Sequence, residues 1–422
     1  MDNKYIINLN TKPKIIKNEE LNYIKFNLLF PIETKKYNFI YVSYLKNIIT
    51  SLSKNIPNRE NFNNEKIRKY ILDAGIYSKI YEDTTFLVYY FTIPKENLIN
   101  EYNMQESFDF CIDALLNPIV YKGAFDNDTF NYEKEYLLNR AYSLNQSINF
   151  INREDFYNII DPDEVLGLNY SNYLMYLNNI TSADLYEFYK ESVLNNKPLI
   201  YVLGNISDDK VNRLFNNSNF PVKEENISVN MYNFNPLKIS NYRYIEKDNN
   251  SNISQLFIEY QITDYNKLDV TYFNAVADIL SVGNNQLLFD SLRVNNNLVY
   301  SVNVSSFIAY GVIVVKLNVS KKNVEYSLKL IDDAFSELLV KEKLIIFLDR
   351  LIKGVHVDIL KEEDERTSAL SYAINNDLKL DNLKKYYNDI KNIDIDNLIG
   401  FVKRMKRTNT VFYRGDSEWM KR

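Results

Sequence analysis

Two short runs of β-branched and aromatic residues end at a glycine in the same way: Leu199-Ile-Tyr-Val-Leu-Gly204 and Thr410-Val-Phe-Tyr-Arg-Gly415. They lie 211 positions apart in a chain of 422 residues that has only nine glycines. Each follows a helical pattern. A period of half the chain is far longer than the roughly 20–50 residues of a solenoid repeat, so it points to one unit used twice.

The order of the other elements agrees with a duplication. In the first half, Leu21–Ile32 has strand character, and Asn38–Ser53 is a helix with Val42, Leu45, Ile49 and Leu52 on one stripe. A second helix is expected over Asn64–Ala74, with Gly75 as its cap. Ile76–Tyr81 and Thr85–Pro94 read as paired strands, and helices follow at about 96–116, 126–150 and 181–193. In the second half the same order recurs. A strand at 253–262 precedes a helix at 267–281 and a short helix at 285–293. Strands at 298–306 and 310–319 precede helices at about 322–340, 343–363, 366–377 and 392–405. The expected architecture is α+β, in two units spanning 1–218 and 237–422. A polar linker, 219–236, falls within a stretch that carries Pro221 and Pro236. Hairpin-linked strands imply a mainly antiparallel sheet in each unit, with helices on one face. The opposite faces are then expected to be bare and to line a concavity.

Composition narrows the function. A net charge of −5 on this length gives no electrostatic reason for a nucleic-acid partner. No run of about 18 apolar residues is present, so no membrane-spanning helix is expected. The N-terminus lacks an apolar signal core, and the single cysteine excludes an intramolecular disulfide. Together these give a cytoplasmic expectation. Cys111 shares a helical stripe with Phe108 and Leu115 and reads as a buried core thiol. His356, the one histidine, has no partner at ligand spacing. The runs Lys361–Arg366 and Lys403–Arg407 read as solvated charge.

The most specific stretch is Ile279-Leu-Ser-Val-Gly-Asn-Asn-Gln-Leu-Leu-Phe-Asp-Ser-Leu-Arg293-Val-Asn-Asn-Asn-Leu-Val-Tyr300. It reads as a helix end, a break at Gly283, a short helix ending near Arg293, and an Asn-rich turn into a strand. This segment resembles the second half of pitrilysin/insulinase-type inverted-zincin peptidases and of mitochondrial processing peptidase. Val165-Leu-Gly167-Leu and Thr181–Tyr189, the latter followed by the Gly204 strand, resemble further pieces of that family in the same order. The resemblance implies that Arg293 and Tyr300 grip a substrate backbone near the scissile bond. A guanidinium and a phenol both donate to a peptide carbonyl or a developing oxyanion. The alternatives stay open: a solvated charge at a helix end and an ordinary strand aromatic.

The same family holds zinc on H-x-x-E-H. On the first helix Ser43, Lys46 and Asn47 occupy the His, Glu and His positions, and no His, Glu or Asp occurs anywhere between Asn38 and Ser53. The third ligand, seven residues after Glu133, is replaced by Arg140, whose fixed charge repels a cation. The expectation is therefore a zinc-free, bacterial member that is not a metallopeptidase by itself. It would be one subunit of a heterodimer and would supply half of a clamshell chamber for peptide processing or maturation. A zinc-bearing paralogous subunit would supply the metal, and a peptide or unfolded segment would be the substrate. The strands at 298–306 and 76–94 resemble the family's edge strands, which accept an extended peptide by β-augmentation. The second reading is a non-catalytic scaffold or binding protein of the same fold, tied to peptide or elongation factor P modification.

Overall fold

The structure is a computed structural model, described over residues 4–33, 38–49, 59–80, 84–96, 98–99, 102–161, 170–220, 224–238, 240–249, 251, 253–281, 287–364 and 383–415. The chain starts with β1 (Lys4–Asn10), β2 (Lys14–Lys17) and β3 (Tyr23–Glu33), then α1 (Asn38–Ile49) and α2 (Arg59–Arg68). The pair β4 (Asp73–Ile80) and β5 (Thr84–Pro94) leads to α3 (Met104–Leu116) and a small hairpin, β6 (Val120–Tyr121) and β7 (Ala124–Phe125). Next come α4 (Asn127–Leu144), α5 (Ile148–Ile160), α6 (Tyr170–Asn179), α7 (Ser182–Tyr189), β8 (Leu199–Gly204) and α8 (Asp208–Asn217). The second half has β9 (Asn226–Asn233), β10 (Arg243–Asp248), β11 (Gln255–Ile262), α9 (Val270–Ser281), α10 (Leu287–Phe289), β12 (Val299–Phe307) and β13 (Val312–Val319). It ends with α11 (Val324–Glu337), α12 (Lys341–Asp364), helices Leu383–Lys391 and Ile395–Arg404, and β14 (Met405–Arg414).

Two five-stranded sheets dominate, in the orders β2-β8-β3-β5-β4 and β10-β14-β11-β13-β12. Taken in sequence order within each half, these are the same arrangement. Both sheets are antiparallel except at one border, where β2–β8 and β10–β14 run parallel. The two strand-end glycines share one physical cause. A Cβ on Gly204 would lie 2.7 Å from the Tyr23 carbonyl, and one on Gly415 would lie 2.3 Å from the Ser251 carbonyl. In each sheet the central strand's entry passes too close for any side chain. Gly204 also has φ +140°, outside the range that side chains accept readily.

Side chains alternate across each sheet as the period-two pattern requires. On the first sheet Phe26, Leu28, Phe30, Tyr89, Phe91 and Val202 face a core shared with α1, α3, α4 and α7. On the second sheet Ile258, Tyr260, Ile313, Val315 and Phe412 face α9, α11 and α12. Local capping sets the helix starts. Asp126 accepts from the Thr129 amide at 2.9 Å, and Thr181 with Asp184 forms a reciprocal capping box at the start of α7.

The structure corrects four sequence expectations. Gly75 is not a helix cap, because α2 ends at Arg68 and Gly75 lies inside β4. There the Tyr90 ring occupies the space that a Cβ would need, 2.8 Å away. The helix expected over 126–150 is two helices. The polar turn Asn145-Gln-Ser147 breaks it through tight bonds from the Gln146 and Ser147 amides to Ser143 and Leu144. Finally, the second faces of the sheets are not bare. The antiparallel ribbon β1–β9 places Ile7, Leu9, Val229 and Met231 in one cluster with Leu29, Val88, Leu199 and Tyr201 of the first sheet. Helix α5 places Phe156, Tyr157 and Ile160 on Phe257, Val312, Val314, Val411 and Tyr413 of the second. These faces are themselves apolar, so leaving them in water would cost about 25 cal/mol per Å² exposed. The ribbon also shows that the stretch 219–236, expected as a linker, carries a strand. The helix expected at 366–377 and the Val165–Leu168 loop lie outside the described residues.

Candidate substrate-binding site and degenerate metal site

Helix α1 and helix α4 pack together where the resemblance places a metal. Their interface is aromatic. Tyr44 of α1 stacks on Phe130 of α4 with ring centroids 5.0 Å apart, while Tyr41 and Phe39 of α1 stack on Phe188 of α7 at 4.8 Å and on Tyr173 of α6 at 5.8 Å. The Tyr44 hydroxyl, held well above the usual phenol range by burial, donates to the Leu177 carbonyl at 3.3 Å. At the positions that the resemblance assigns to the motif, Ser43 donates its hydroxyl to the Phe39 carbonyl one turn back, at 2.8 Å, and Lys46 is exposed. The Asn47 side chain lies outside the described residues. Glu133 is buried on α4, while Arg140 is exposed and acts on the Tyr173 phenol, lowering a pKa that burial raises.

Zinc takes imidazole, thiolate or carboxylate donors in a near-tetrahedral set. A hydroxyl already spent on its own helix, an ammonium and a guanidinium do not make such a set. Among the described residues, no group of three or more His, Cys, Asp or Glu is placed to hold a metal ion.

The second candidate lies at the edge of the other sheet. Helix α10 continues as one π-helical turn, Asp290–Val294, and Arg293 sits in it, half-buried. Asn297, at φ 49°, reverses the chain, and its amide bonds back to the Arg293 carbonyl at 3.0 Å. Asparagine tolerates this left-handed conformation better than other side chains, so the Asn-rich turn has a mechanical reason. The Arg293 Nη1 then donates to the Val299 carbonyl at 3.0 Å, which ties the short helix to the first residue of β12. Gly283 lies outside the described residues.

Strand β12 is at the border of its sheet among the described residues. Its pairing with β13 is irregular where Tyr300 lies. Val299 pairs with Val319 and Val302 with Leu317, so β12 has one residue more than its partner over that step. Such a bulge twists a strand and re-aims a side chain. The Tyr300 backbone is in the strand, and its side chain lies outside the described residues. Val302 and Val304 pack on the helix side of the sheet, while Asn303 and Ser305 are exposed. That is the alternation expected of a strand with one wet face.

The other chemistry singled out in the sequence is structural. Cys111 is buried, and burial pushes its thiol well above the usual range, which makes it a poor nucleophile. His356 is exposed on α12, its ring 5.5 Å from that of Tyr387. In the basic run near the C-terminus, Arg404 pairs with Asp269 and Arg407 with Asp332. Among the described residues no helix is long and apolar enough to cross a membrane.

One polar constellation escaped the sequence reading. Glu259, fully buried on β11, accepts from Thr408 Oγ1 at 2.6 Å, Asn409 Nδ2 at 2.5 Å and Gln261 Nε2 at 2.9 Å. It sits where the β11–β14 register shifts, and burial raises its carboxyl. A lone Glu in an apolar strand run is the signal that was available.

Comparison with known proteins places this geometry. Residues 179–343 match the family model described as peptidase M16 inactive domain. No curated protein sequence matches the chain. Among solved structures, a conserved protein from Enterococcus faecalis V583 is similar at a TM-score of 0.77 and 18% identity, covering 99% of each chain. A protease from Helicobacter pylori is similar at 0.70 and 14% identity, covering 97% of this chain and 100% of its own. A peptidase M16 inactive domain from Pseudomonas fluorescens is similar at 0.68 and 14% identity, covering 96% and 95%. The matched segment and the fold shared along the whole chain make this protein similar to the M16 peptidases and to their inactive domains, and its single histidine, His356, cannot supply the two of an H-x-x-E-H motif.

Proposed function

We propose that this chain is the metal-lacking subunit of a two-subunit peptidase. It supplies a peptide-binding edge and half of a chamber, and a zinc-bearing paralogue supplies H-x-x-E-H. The units are 1–218 and 237–422, with 219–236 between them, and both subunits act in the cytoplasm. The observation that carries the reading is the bulge at Tyr300 on a border strand whose first carbonyl is held by Arg293. An extended peptide laid along β12 gains main-chain hydrogen bonds with little sequence demand. In that pose Arg293 and Tyr300 would donate to and orient the scissile carbonyl, and the hydrolytic chemistry would be supplied by zinc held on the partner. The test is co-expression with a zinc-bearing paralogue. The two should co-purify, the chain alone should cleave no peptide, and the mixture should. A mixture as inert as the chain alone, or no association, overturns the proposal.

A second reading is a scaffold or binding protein serving peptide or elongation factor P modification. It is favoured by the same Arg293–Val299 bond, which gives the guanidinium a purely structural use. An associated but inactive mixture would select it.

A further inference from the structure

Helix α5 belongs to the first half by sequence and packs on the second half. It touches every strand of the second sheet. Asp155 accepts from Lys247 Nζ of β10 at 2.7 and 2.9 Å and from the Tyr413 hydroxyl of β14 at 2.7 Å. Asn152 Nδ2 donates to Gln255 Oε1 of β11 at 2.9 Å. The Gln255 amide donates in turn to Asn149 of the helix at 2.5 Å and to Asn318 of β13 at 3.1 Å. Lys316 of β13 reaches Asn149 at 3.2 Å. Between these polar ends, Phe156 stacks on Phe257 at 5.1 Å, and Tyr157 meets Phe307 of β12 edge-on at 5.5 Å.

We propose that α5 is a positioning strap, through which the first half sets the geometry of the peptide-accepting edge of β12. The claim about peptides rests on the function proposed above, whereas the claim about the strap does not. The physical argument is one of rigidity. A border strand has hydrogen bonds on one side only and frays readily. Here its far end, Phe307, is clamped by an aromatic from another unit, and its near end, Val299, is held by Arg293. With α5 seated, that face of the second sheet is covered at Phe257, Val312, Val314, Val411 and Tyr413, while Asn303 and Ser305 of β12 stay exposed toward the edge. Asp155 and Tyr157 are the positioning residues.

Hydrogen–deuterium exchange on the full chain tests the strap without any ligand. Tyr157→Ala and Asp155→Ala should speed exchange of β12 amides by roughly tenfold while leaving β5 of the first sheet unchanged. Tyr157→Phe, which keeps the ring on Phe307 and loses only the hydroxyl's bond with Ser305 of β12, should retain most of the wild-type protection. Unchanged exchange in β12 for both alanine variants overturns the proposal. If those variants lose protection in β5 as well, Asp155→Asn with Tyr157→Phe as its control decides: β12 must loosen more in the first than in the second, and any other pattern overturns the strap. A second arm uses fluorescein-labelled casein, an unfolded polypeptide, with the wild-type chain. Casein should protect β12, and its affinity should drop in Tyr157→Ala. Absence of any casein protection in wild type counts against the peptide-binding function, and the ligand-free exchange still decides the strap.

Discussion

The hydroxyl of Tyr413 donates to the carboxylate of Asp155 at 2.7 Å, joining the last strand of the second sheet to a helix 258 positions earlier. Burial and the facing carboxylate push the Tyr413 phenol well up, so the proton stays on the tyrosine. The bond crosses between the duplicated halves and shows how closely they are fastened. A double-mutant cycle of Asp155→Ala and Tyr413→Phe in urea should give a coupling of about 1 kcal/mol, as residues sharing a hydrogen bond do. Additive losses would mean that the bond contributes nothing of its own.

Removing the space at the strand-end glycines should be costly in both halves. Gly204→Ala pushes a methyl against the Tyr23 carbonyl as well as the Ile24 side chain, and Gly415→Ala pushes one against the backbone of Ser251 and Ile253. Each should lower stability by more than about 1 kcal/mol, read as a fall in the melting temperature. Gly400→Ala is the control, since a Cβ there meets nothing within 4 Å and the position is helical. A Gly415→Ala protein as stable as wild type would contradict the shared cause assigned to the two glycines.

Glu259 should make stability fall as pH rises. Its folded carboxyl is raised by burial, with Thr408, Asn409 and Gln261 pulling it partly back. The folded state therefore binds a proton more readily than the unfolded chain. The linked stability is present below the ordinary glutamate value of about 4.3 and is lost upward through the raised folded value. Glu259→Gln should flatten that part of the profile relative to wild type, measured by urea midpoints across the acidic range. It should also lower stability at every pH, because an amide nitrogen cannot accept from Asn409. Parallel profiles would show that the carboxyl does not titrate with folding.

Zinc should not be retained. In the proposed register the ligand positions carry Ser43, Lys46 and Arg140, and Tyr44 of α1 stacks on Phe130 of α4. Metal analysis after dialysis against zinc should find well under one equivalent per chain. One tightly held ion per chain would refute the degenerate-site assignment.

In a mixture with a zinc-bearing paralogue, Arg293→Ala and Tyr300→Phe should slow turnover by about 10²–10³ each if they face the developing oxyanion. Association, measured by sedimentation, should be unaffected. Arg293→Ala also releases the Val299 carbonyl. Tyr300→Phe separates the two effects, because it removes a donor and keeps the strand.

The sequence by itself determined the duplication, the α+β class and the absence of zinc ligands. Those properties are local or compositional: a strand ending at glycine, a period of two or 3.6, and the residue types on α1. It also indicated the Arg293-to-Tyr300 segment, because a π-turn, an asparagine at positive φ and a strand are neighbours in the chain. Tertiary structure alone decided what covers the second faces of the sheets. Nothing local to Asn149, Asn152, Asp155 or Tyr157 says that these residues meet Gln255, Lys247, Tyr413 and Phe307, since the pairs are 92 to 258 positions apart wherever a bond joins them. The same holds for the Tyr90 ring over Gly75 and for the bulge beside Glu259. Each depends on which strands become neighbours, and that choice is made by burying apolar area over the whole chain rather than by any one segment's preference.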